Sequence, residues 1–304
     1  MKRLFLILTV VFVAQACESP ADVDLRSAIP TMVVDAFINN LNEDQQITLN
    51  FSQDFLNDTA YQPVEGAVVT VVNEADNVTL GFTESSTPGV YVWSPSNQRP
   101  TIGAVGDDFT LVIQFEGNRY VSTTTLNRST PVEEILFYEE EEPFSGDKFY
   151  EARVTASDPE GVGDSYWFKT YWNGEFLGRP GEINIAFDAG LSSGNTIDGQ
   201  LFIFPIRIGI NPTGDDESYE LNDVVRVEIH SISNEAFDYF TLLQIQTDRP
   251  GGFSELFAQP LANLPSNVSV ESSSEHQVLG YFSVSAVEEL EVVFTEDLIR
   301  VSED

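Results

Sequence analysis

The sequence is poor in several residue types that commonly build covalent, metal-binding or nucleic-acid-binding sites. Its 304 residues include one cysteine, two histidines and only 14 lysines and arginines, against 49 aspartates and glutamates. A single cysteine excludes an intramolecular disulfide, so stability must come from buried apolar surface. The formal net charge of −35 repels phosphate backbones, and nucleic acid is therefore excluded as a partner.

Long apolar runs are also missing after the N-terminus. No later segment approaches the ~18 consecutive apolar residues that cross a bilayer as a helix. Residues 4–14 are apolar apart from Thr9, and they follow the basic pair Lys2-Arg3. This run is too short to span a membrane and has the layout of a secretory signal peptide.

The only cysteine, Cys17, directly follows the small-residue exit Ala14-Gln15-Ala16. This position indicates a bacterial lipoprotein, with a signal peptide over residues 1–16 and the lipid attached to Cys17. The alternative is an ordinary signal peptide followed by an incidental cysteine. Residues 17–30 are polar, acidic and interrupted by proline, which predicts a flexible, lipidated tether.

Most of the remaining chain alternates apolar and polar residues with a period of two, which predicts a mainly β fold. Short strands over residues 31–127 are typical of an immunoglobulin-like or regulatory-like β-sandwich. The polar stretch 127–131 predicts a boundary, and residues 128–304 a second β-rich domain. Residues 199–210 are among the predicted strands, with Pro205 at an edge or bulge.

Two local signals stand out in the second domain. Asn173-Gly174 lies between two strand patterns and predicts a β-hairpin, because this dipeptide accepts positive φ at both turn positions. One amphipathic α-helix is predicted at about 233–247, with Ser233 as its cap and Glu235 in its first turn. Apolar residues recur at helical spacing along that segment.

The residues that most often carry catalysis have no recognisable partners. His230 lies in an alternating strand and His276 in a polar loop, and neither has partners at a known metal-ligand or catalytic spacing. Both are therefore interpreted as structural or solvent-facing. The sequence also lacks phosphate-loop, zinc-protease and serine-hydrolase motifs. No catalytic residue, cofactor or metal is predicted from these patterns.

Residues 158–164 (DPEGVGD) form a candidate calcium loop. Asp158, Glu160 and Asp164 offer oxygen ligands, and the glycines allow a tight bend. The segment lacks the alternating aspartate register and the distal glutamate of a known calcium loop, so an acidic turn is the favoured interpretation.

A second candidate is an aromatic platform for stacking sugars, formed by Trp167, Tyr171 and Trp172. Trp167 and Trp172 point to opposite faces of one predicted strand. At least one of the two therefore belongs to the core.

Several stretches carry a family likeness, most specifically between residues 225 and 283. They are VRVEIHSISNEAFDYF (225–240), GGFS (251–254), PLAN (260–263) and LGYFS (279–283), with MVVDAFI (32–38) and DPEG (158–161) before them. With these residues the chain resembles the Bacteroidetes outer-membrane lipoprotein family catalogued as domain-of-unknown-function family 4249.

The family has no established catalytic residues, so the resemblance implies a cellular location and a partner protein but no reaction. It implies a lipid anchor on Cys17 in the outer membrane, on the periplasmic face or the cell surface. It also implies a TonB-dependent outer-membrane receptor as partner. The segment DTA (58–60) is similar to the short O-glycosylation motif of that lineage, which makes Thr59 a candidate attachment site.

The function expected from these observations is a non-enzymatic accessory or ligand-capturing partner of a TonB-dependent transporter in nutrient uptake. A surface adhesion or matrix module is one alternative, and it suits the sandwich-like first domain. A surface hydrolase acting on peptide or glycan is another. It would need two convergent carboxylates or a site centred on histidine.

Overall fold

The computed structural model describes residues 29–54, 57, 59–141, 146, 148–194, 197–214, 217–249, 251–252, 260–271 and 277–301. The predicted signal peptide, Cys17, almost all of the tether and His276 lie outside these residues. No helix in the described part of the chain is long and apolar enough to cross a bilayer.

The described residues form strands with two α-helices among them, so the predicted mainly β fold is confirmed. In chain order the elements are β1 (Met32–Asn39), β2 (Gln45–Phe51), β3 (Val68–Asn73), β4 (Val78–Glu84), β5 (Val90–Trp93), β6 (Asp108–Phe115), β7 (Asn118–Thr125), β8 (Glu134–Glu141), β9 (Lys148–Thr155), β10 (Ser165–Trp172), β11 (Glu175–Phe176), β12 (Asn184–Phe187), α1 (Phe204–Ile208), β13 (Val224–Ile232), α2 (Asn234–Thr247), β14 (Ser269–Val270), β15 (Leu279–Ser285), β16 (Val287–Val293) and β17 (Ile299–Val301).

The first sheet has nine strands in the order β14-β7-β6-β3-β4-β5-β2-β1-β15. It curls over one apolar core, so that Asn127, just after β7, forms a bridge with Ser285 at the end of β15. Period-two alternation explains the burial of β1: Val34 and Ala36 are fully buried, whereas Asp35 and Phe37 lie on the outer face.

Two strands of this sheet come from the last quarter of the chain. β14 pairs with β7, and β15 pairs in parallel with β1. Their neighbours Val268 and Val278 join Phe282 and Val284 in the first core. The division into residues 31–127 and 128–304 stays a prediction, and the structure adds that part of the later segment completes the first sheet.

The remaining strands form two smaller sheets around a second core. One has the order β11-β10-β13-β16, with β12 also paired to β10, and the other the order β17-β8-β9. Phe137 on β8 stacks on Phe294 with ring centroids 3.8 Å apart. Tyr219 packs edge-on against Phe137 and joins the two sheets.

The predicted strand over residues 199–210 is wrong, because this segment contains the short helix α1. Pro205 lies in its first turn, where a missing backbone N–H leaves no hydrogen bond unmade. Ile206 is fully buried, and its carbonyl accepts a 2.8 Å hydrogen bond from the Asn184 side chain. Tertiary packing therefore replaces the strand that the apolar run suggested.

The two local predictions in this region are confirmed. Ser233 caps α2, and its hydroxyl accepts a 3.1 Å hydrogen bond from the backbone N–H of Ala236. Asn173 and Gly174 have φ values of 51° and 86° in the turn between β10 and β11. Both elements depend on neighbours in sequence, which is why the sequence predicts them well.

Candidate functional site: an aromatic pocket

The alternation of β10 separates its aromatic residues into two sets, as expected. Trp172 faces the second core, with its ring 5.5 Å from that of Tyr219. Trp167, Lys169 and Tyr171 lie on the opposite face of the strand. The three aromatic residues therefore do not form one platform, and only the Trp167 face is open to a ligand.

A pocket of about 380 Å³ lies beside Trp167. It is enclosed by the nine-stranded sheet, the sheet that contains β10, and helix α2. Strands β1 and β15 of the first sheet supply one wall, and β10 with α2 supplies the other. Its lining is mostly aromatic or apolar and includes Val33, Phe37, Trp167, Tyr239, Phe240 and Tyr281. A concave site of this size and character suits a small organic ligand.

Aromatic contacts hold the pocket walls in place. The ring of Phe240 lies 4.5 Å from that of Trp167 and 5.3 Å from that of Phe37. Tyr239 packs against Tyr281 at 4.8 Å. Each such pair contributes about 0.5–1.5 kcal/mol beyond the area it buries. The walls are therefore preformed, because side chains from α2 and both sheets interlock.

The pocket floor requires the absence of a side chain at position 280. Gly280 lies in β15 with φ of 87°, a conformation that residues with a Cβ rarely adopt. A Cβ here would collide with the backbone carbonyl oxygen of Val34 on the paired strand β1. Glycine thus allows the two strands to approach closely beneath the pocket.

Two charged groups lie close to the aromatic walls. Asp35 is exposed at the pocket mouth, and the surrounding apolar walls raise its pKa while the charge of Lys169 opposes the rise. Lys169 lies with its Nζ 4.9 Å from the ring centroid of Trp167 and 5.2 Å from that of Phe176. Burial lowers the pKa of this ammonium, although Glu228 acts in the opposite direction.

A partly buried ionic network lies on β13, where Glu228 is the strand partner of Lys169. The Nε2 atom of His230 lies 2.8 Å from Oε2 of Glu228, and Arg226 contacts Oε1 of the same carboxylate at 2.7 Å. Burial lowers the pKa of His230. Burial alone would raise the pKa of Glu228, but the hydrogen bond to His230 and the nearby cations lower it.

The sequence of the chain matches the family described as "Domain of unknown function (DUF4249)" over residues 18–291. The chain belongs to this family. No curated protein matches it. The match covers the whole nine-stranded sheet and every residue that lines the aromatic pocket, so the pocket is built within the DUF4249 region.

The candidate calcium loop of this DUF4249 chain does not keep its three acidic residues together. Asp164 is bonded to the Arg128 guanidinium, with Nε 3.0 Å from Oδ2, and Glu160 is exposed. Asp158 instead lies with Asp188 and Asp198. Asp188 and Asp198 belong to no sequence motif. The one sequence signal for a site here is that Asp188 directly follows the apolar strand β12, because polar residues just after a strand often carry function.

The remaining predicted site residues are placed as follows. Thr59 is exposed, and its backbone N–H and hydroxyl both donate to the Asn57 side-chain oxygen, at 3.2 and 2.9 Å. His230 is only 5% exposed and contacts Glu228, so it has the partner expected of a structural histidine. Glycosylation of Thr59 and lipidation of Cys17 stay predictions.

A larger cleft of about 730 Å³ lies where β6 and β7 meet the start of α2. Its lining is rich in threonine and acidic side chains, among them Asp108, Thr125 and Glu235. Thr125 donates a 2.6 Å hydrogen bond to Asp108, so part of this polar lining is already satisfied internally. The aromatic pocket is the better candidate for ligand binding, because apolar walls with few polar groups favour capture from water.

Proposed function

We propose that this chain is a lipid-anchored outer-membrane protein that captures a small ligand for a TonB-dependent transporter and has no enzymatic role. The observation that carries the proposal is the preformed aromatic pocket between the two sheets. Membership of the DUF4249 family supports the proposed setting, and Cys17 supplies the anchor in the same account.

The pocket lining defines the chemistry of the proposed ligand. Trp167 and Phe240 favour a molecule with a flat or apolar face, because ring contacts in a concave site remove that face from water. Asp35 at the mouth accepts hydrogen bonds, so a ligand with a donor or a cationic group beside its apolar face fits best.

The charged groups in and around the pocket leave it open to reversible capture. Of the two acids in the lining, Asp35 is exposed, and Glu182 already accepts hydrogen bonds from the backbone N–H groups of Arg179 at 2.8 Å and Thr213 at 3.1 Å. Lys169 packs on the aromatic cluster and Glu228 is held by His230 and Arg226, so these charges already have partners. A ligand would therefore not have to break an ion pair to enter.

The proposed partnership is tested by a mild-detergent affinity pull-down from the native outer membrane, followed by mass spectrometry. We expect a TonB-dependent receptor to co-purify in about equal amount with the tagged chain. An unrelated tagged lipoprotein from the same membrane is the control. Recovery of the lipidated chain alone would contradict the transport role and would favour the adhesion alternative, for which glycan binding would be measured next.

A further inference from the structure

Three loops bring three carboxylates together at one end of the second core. Asp158 follows β9, Asp188 follows β12, and Asp198 precedes α1. One oxygen from each carboxylate lies within 4.8 Å of the oxygens from the other two. The group is separate from the aromatic pocket, whose lining includes none of these residues.

Asp188 supplies an observation beyond the clustering of acids. It is fully buried, and its Oδ1 atom accepts hydrogen bonds from the backbone N–H groups of Gly163 at 2.7 Å and Asp164 at 3.0 Å. Its Oδ2 atom is also buried and has no hydrogen-bond partner. A buried carboxylate oxygen normally has a partner, so this atom is the one available to coordinate a ligand.

The other two carboxylates are held in place by the same loops. Asp158 is 3% exposed and accepts hydrogen bonds from the Tyr166 hydroxyl at 2.7 Å and the Gly199 N–H at 3.1 Å. Asp198 accepts one from the Gly161 N–H at 2.9 Å. These contacts orient the three side chains and leave their mutual repulsion uncompensated.

The nearest guanidinium is committed elsewhere. Arg128 bonds to Asp164 and to the backbone carbonyl oxygens of Glu160 and Gly161, at 2.9 and 3.0 Å. Within the described residues, no lysine, arginine or histidine forms an ion pair with Asp158, Asp188 or Asp198. The three carboxylates are therefore held by neutral donors alone, and a bound cation would relieve the repulsion among them.

We propose that Asp158, Asp188 and Asp198 bind a divalent cation, and that this cation is calcium. An all-oxygen donor set is typical of hard cations, and no sulfur or imidazole ligand belongs to the group. Calcium accepts mono- or bidentate carboxylates in a flexible geometry and can complete its shell with water. Its role is to fasten three loops that no disulfide can join.

Calcium titration by isothermal calorimetry tests the site. The full lipidated chain, purified in detergent and freed of metal with a chelator, is titrated with Ca²⁺ and separately with Mg²⁺ at physiological salt. We expect one saturable calcium site per chain and weaker binding of magnesium. The melting temperature should rise by about 5 °C when calcium exceeds its Kd a hundred-fold.

The decisive comparison is between two substitutions in the same region. Asp188→Asn removes the charge of the buried ligand, and it should weaken calcium binding at least ten-fold. Glu160→Gln removes one charge from the adjacent exposed loop but leaves all three carboxylates of the group in place. The calcium affinity of this variant should therefore stay within two-fold of wild type. Asn at position 188 can retain the left-handed φ of 47°.

Either of two results would overturn the proposal. One is a wild-type chain that shows no saturable heat and no thermal shift with millimolar calcium. The other is an equal loss of affinity in both variants, which would indicate diffuse attraction to an acidic surface. If near-ultraviolet circular dichroism shows that Asp188→Asn does not fold, Asp198→Asn, at a partly exposed position, provides the same readout.

Discussion

At the scale of single residues, His230 and Glu228 explain how a charged network is accommodated beside an apolar pocket. Both side chains are about 5% exposed and face each other across 2.8 Å. Burial disfavours the imidazolium, while the carboxylate is stabilised as an anion by His230, Lys169 and Arg226. The network is therefore most stable with a neutral His230 beside an ionised Glu228.

This charge state predicts a loss of stability in mild acid. The folded state lowers the pKa of His230, so below about pH 6.5 the unfolded chain takes up a proton that the folded chain does not. The free energy of unfolding should fall as the pH drops from 7.5 to 5.5. The pKa of Glu228 is also lowered in the folded state. The stability that Glu228 contributes is lost only when the pH falls below the ordinary pKa of a glutamate, outside this pH interval.

His230→Gln isolates this effect, because glutamine can still bond to Glu228 but does not titrate. Urea denaturation at pH 7.5 and 5.5 should show a smaller loss of stability in the variant than in wild type. Because pH 5.5 lies about one unit below the ordinary pKa of histidine, this difference should approach but not exceed about 1.4 kcal/mol. Since His276 and every other group are common to both chains, parallel losses would refute the assigned charge state.

At the scale of elements, the parallel pairing of β1 with β15 is the feature that closes the first sheet and shapes the pocket. Seven residue pairs connect the strands, from Val33 with Leu279 to Asn39 with Ser285. Gly280 sits where the backbones come closest. The pair supplies Phe37 and Tyr281, whose rings stack at 6.1 Å in the pocket wall.

Gly280→Ala should therefore destabilise the chain by about 3 kcal/mol, through positive φ and a backbone collision. Gly81→Ala is the matched control. Position 81 also lies in a strand, but its added Cβ would meet nothing within 4 Å, and the cost should be within about 0.5 kcal/mol. Equal effects in urea denaturation would show that β1 and β15 are not closely paired.

Elements that depend on local chemistry could be predicted from the sequence. Ser233 marks the start of α2, and Asn173-Gly174 marks the hairpin, because each signal acts within a few residues. The short helix α1 was predicted as a strand. Five residues are too few to establish a helical period, and the burial of Ile206 depends on contacts with distant elements.

At the scale of the whole molecule, the sites arise from long-range pairing that no local pattern contains. Phe37 and Tyr281 meet only because the last quarter of the chain returns to β1. Asp158 and Asp188 belong to different loops and become neighbours only through the pairing of β10 with β12. The sequence could therefore supply the residue types of each site but not their partners.

Two adjacent leucines on α2 allow a direct test of the proposal that the aromatic pocket carries a small ligand. Leu243 on α2 lines the pocket, whereas the adjacent Leu242 is 39% exposed and does not. A tryptophan at 243 should fill the pocket, and the same change at 242 should leave it open. This pair of substitutions therefore separates occupancy of the pocket from any general effect of a larger side chain on α2.

The measurement is native mass spectrometry of wild type, Leu243→Trp and Leu242→Trp, each produced in and purified from the native host. Small molecules released on denaturation are then identified. We predict a near-stoichiometric ligand in wild type and Leu242→Trp, and at least a ten-fold reduction in Leu243→Trp. Equal ligand content in all three proteins, or a wild-type chain that releases none, would contradict ligand capture by this pocket.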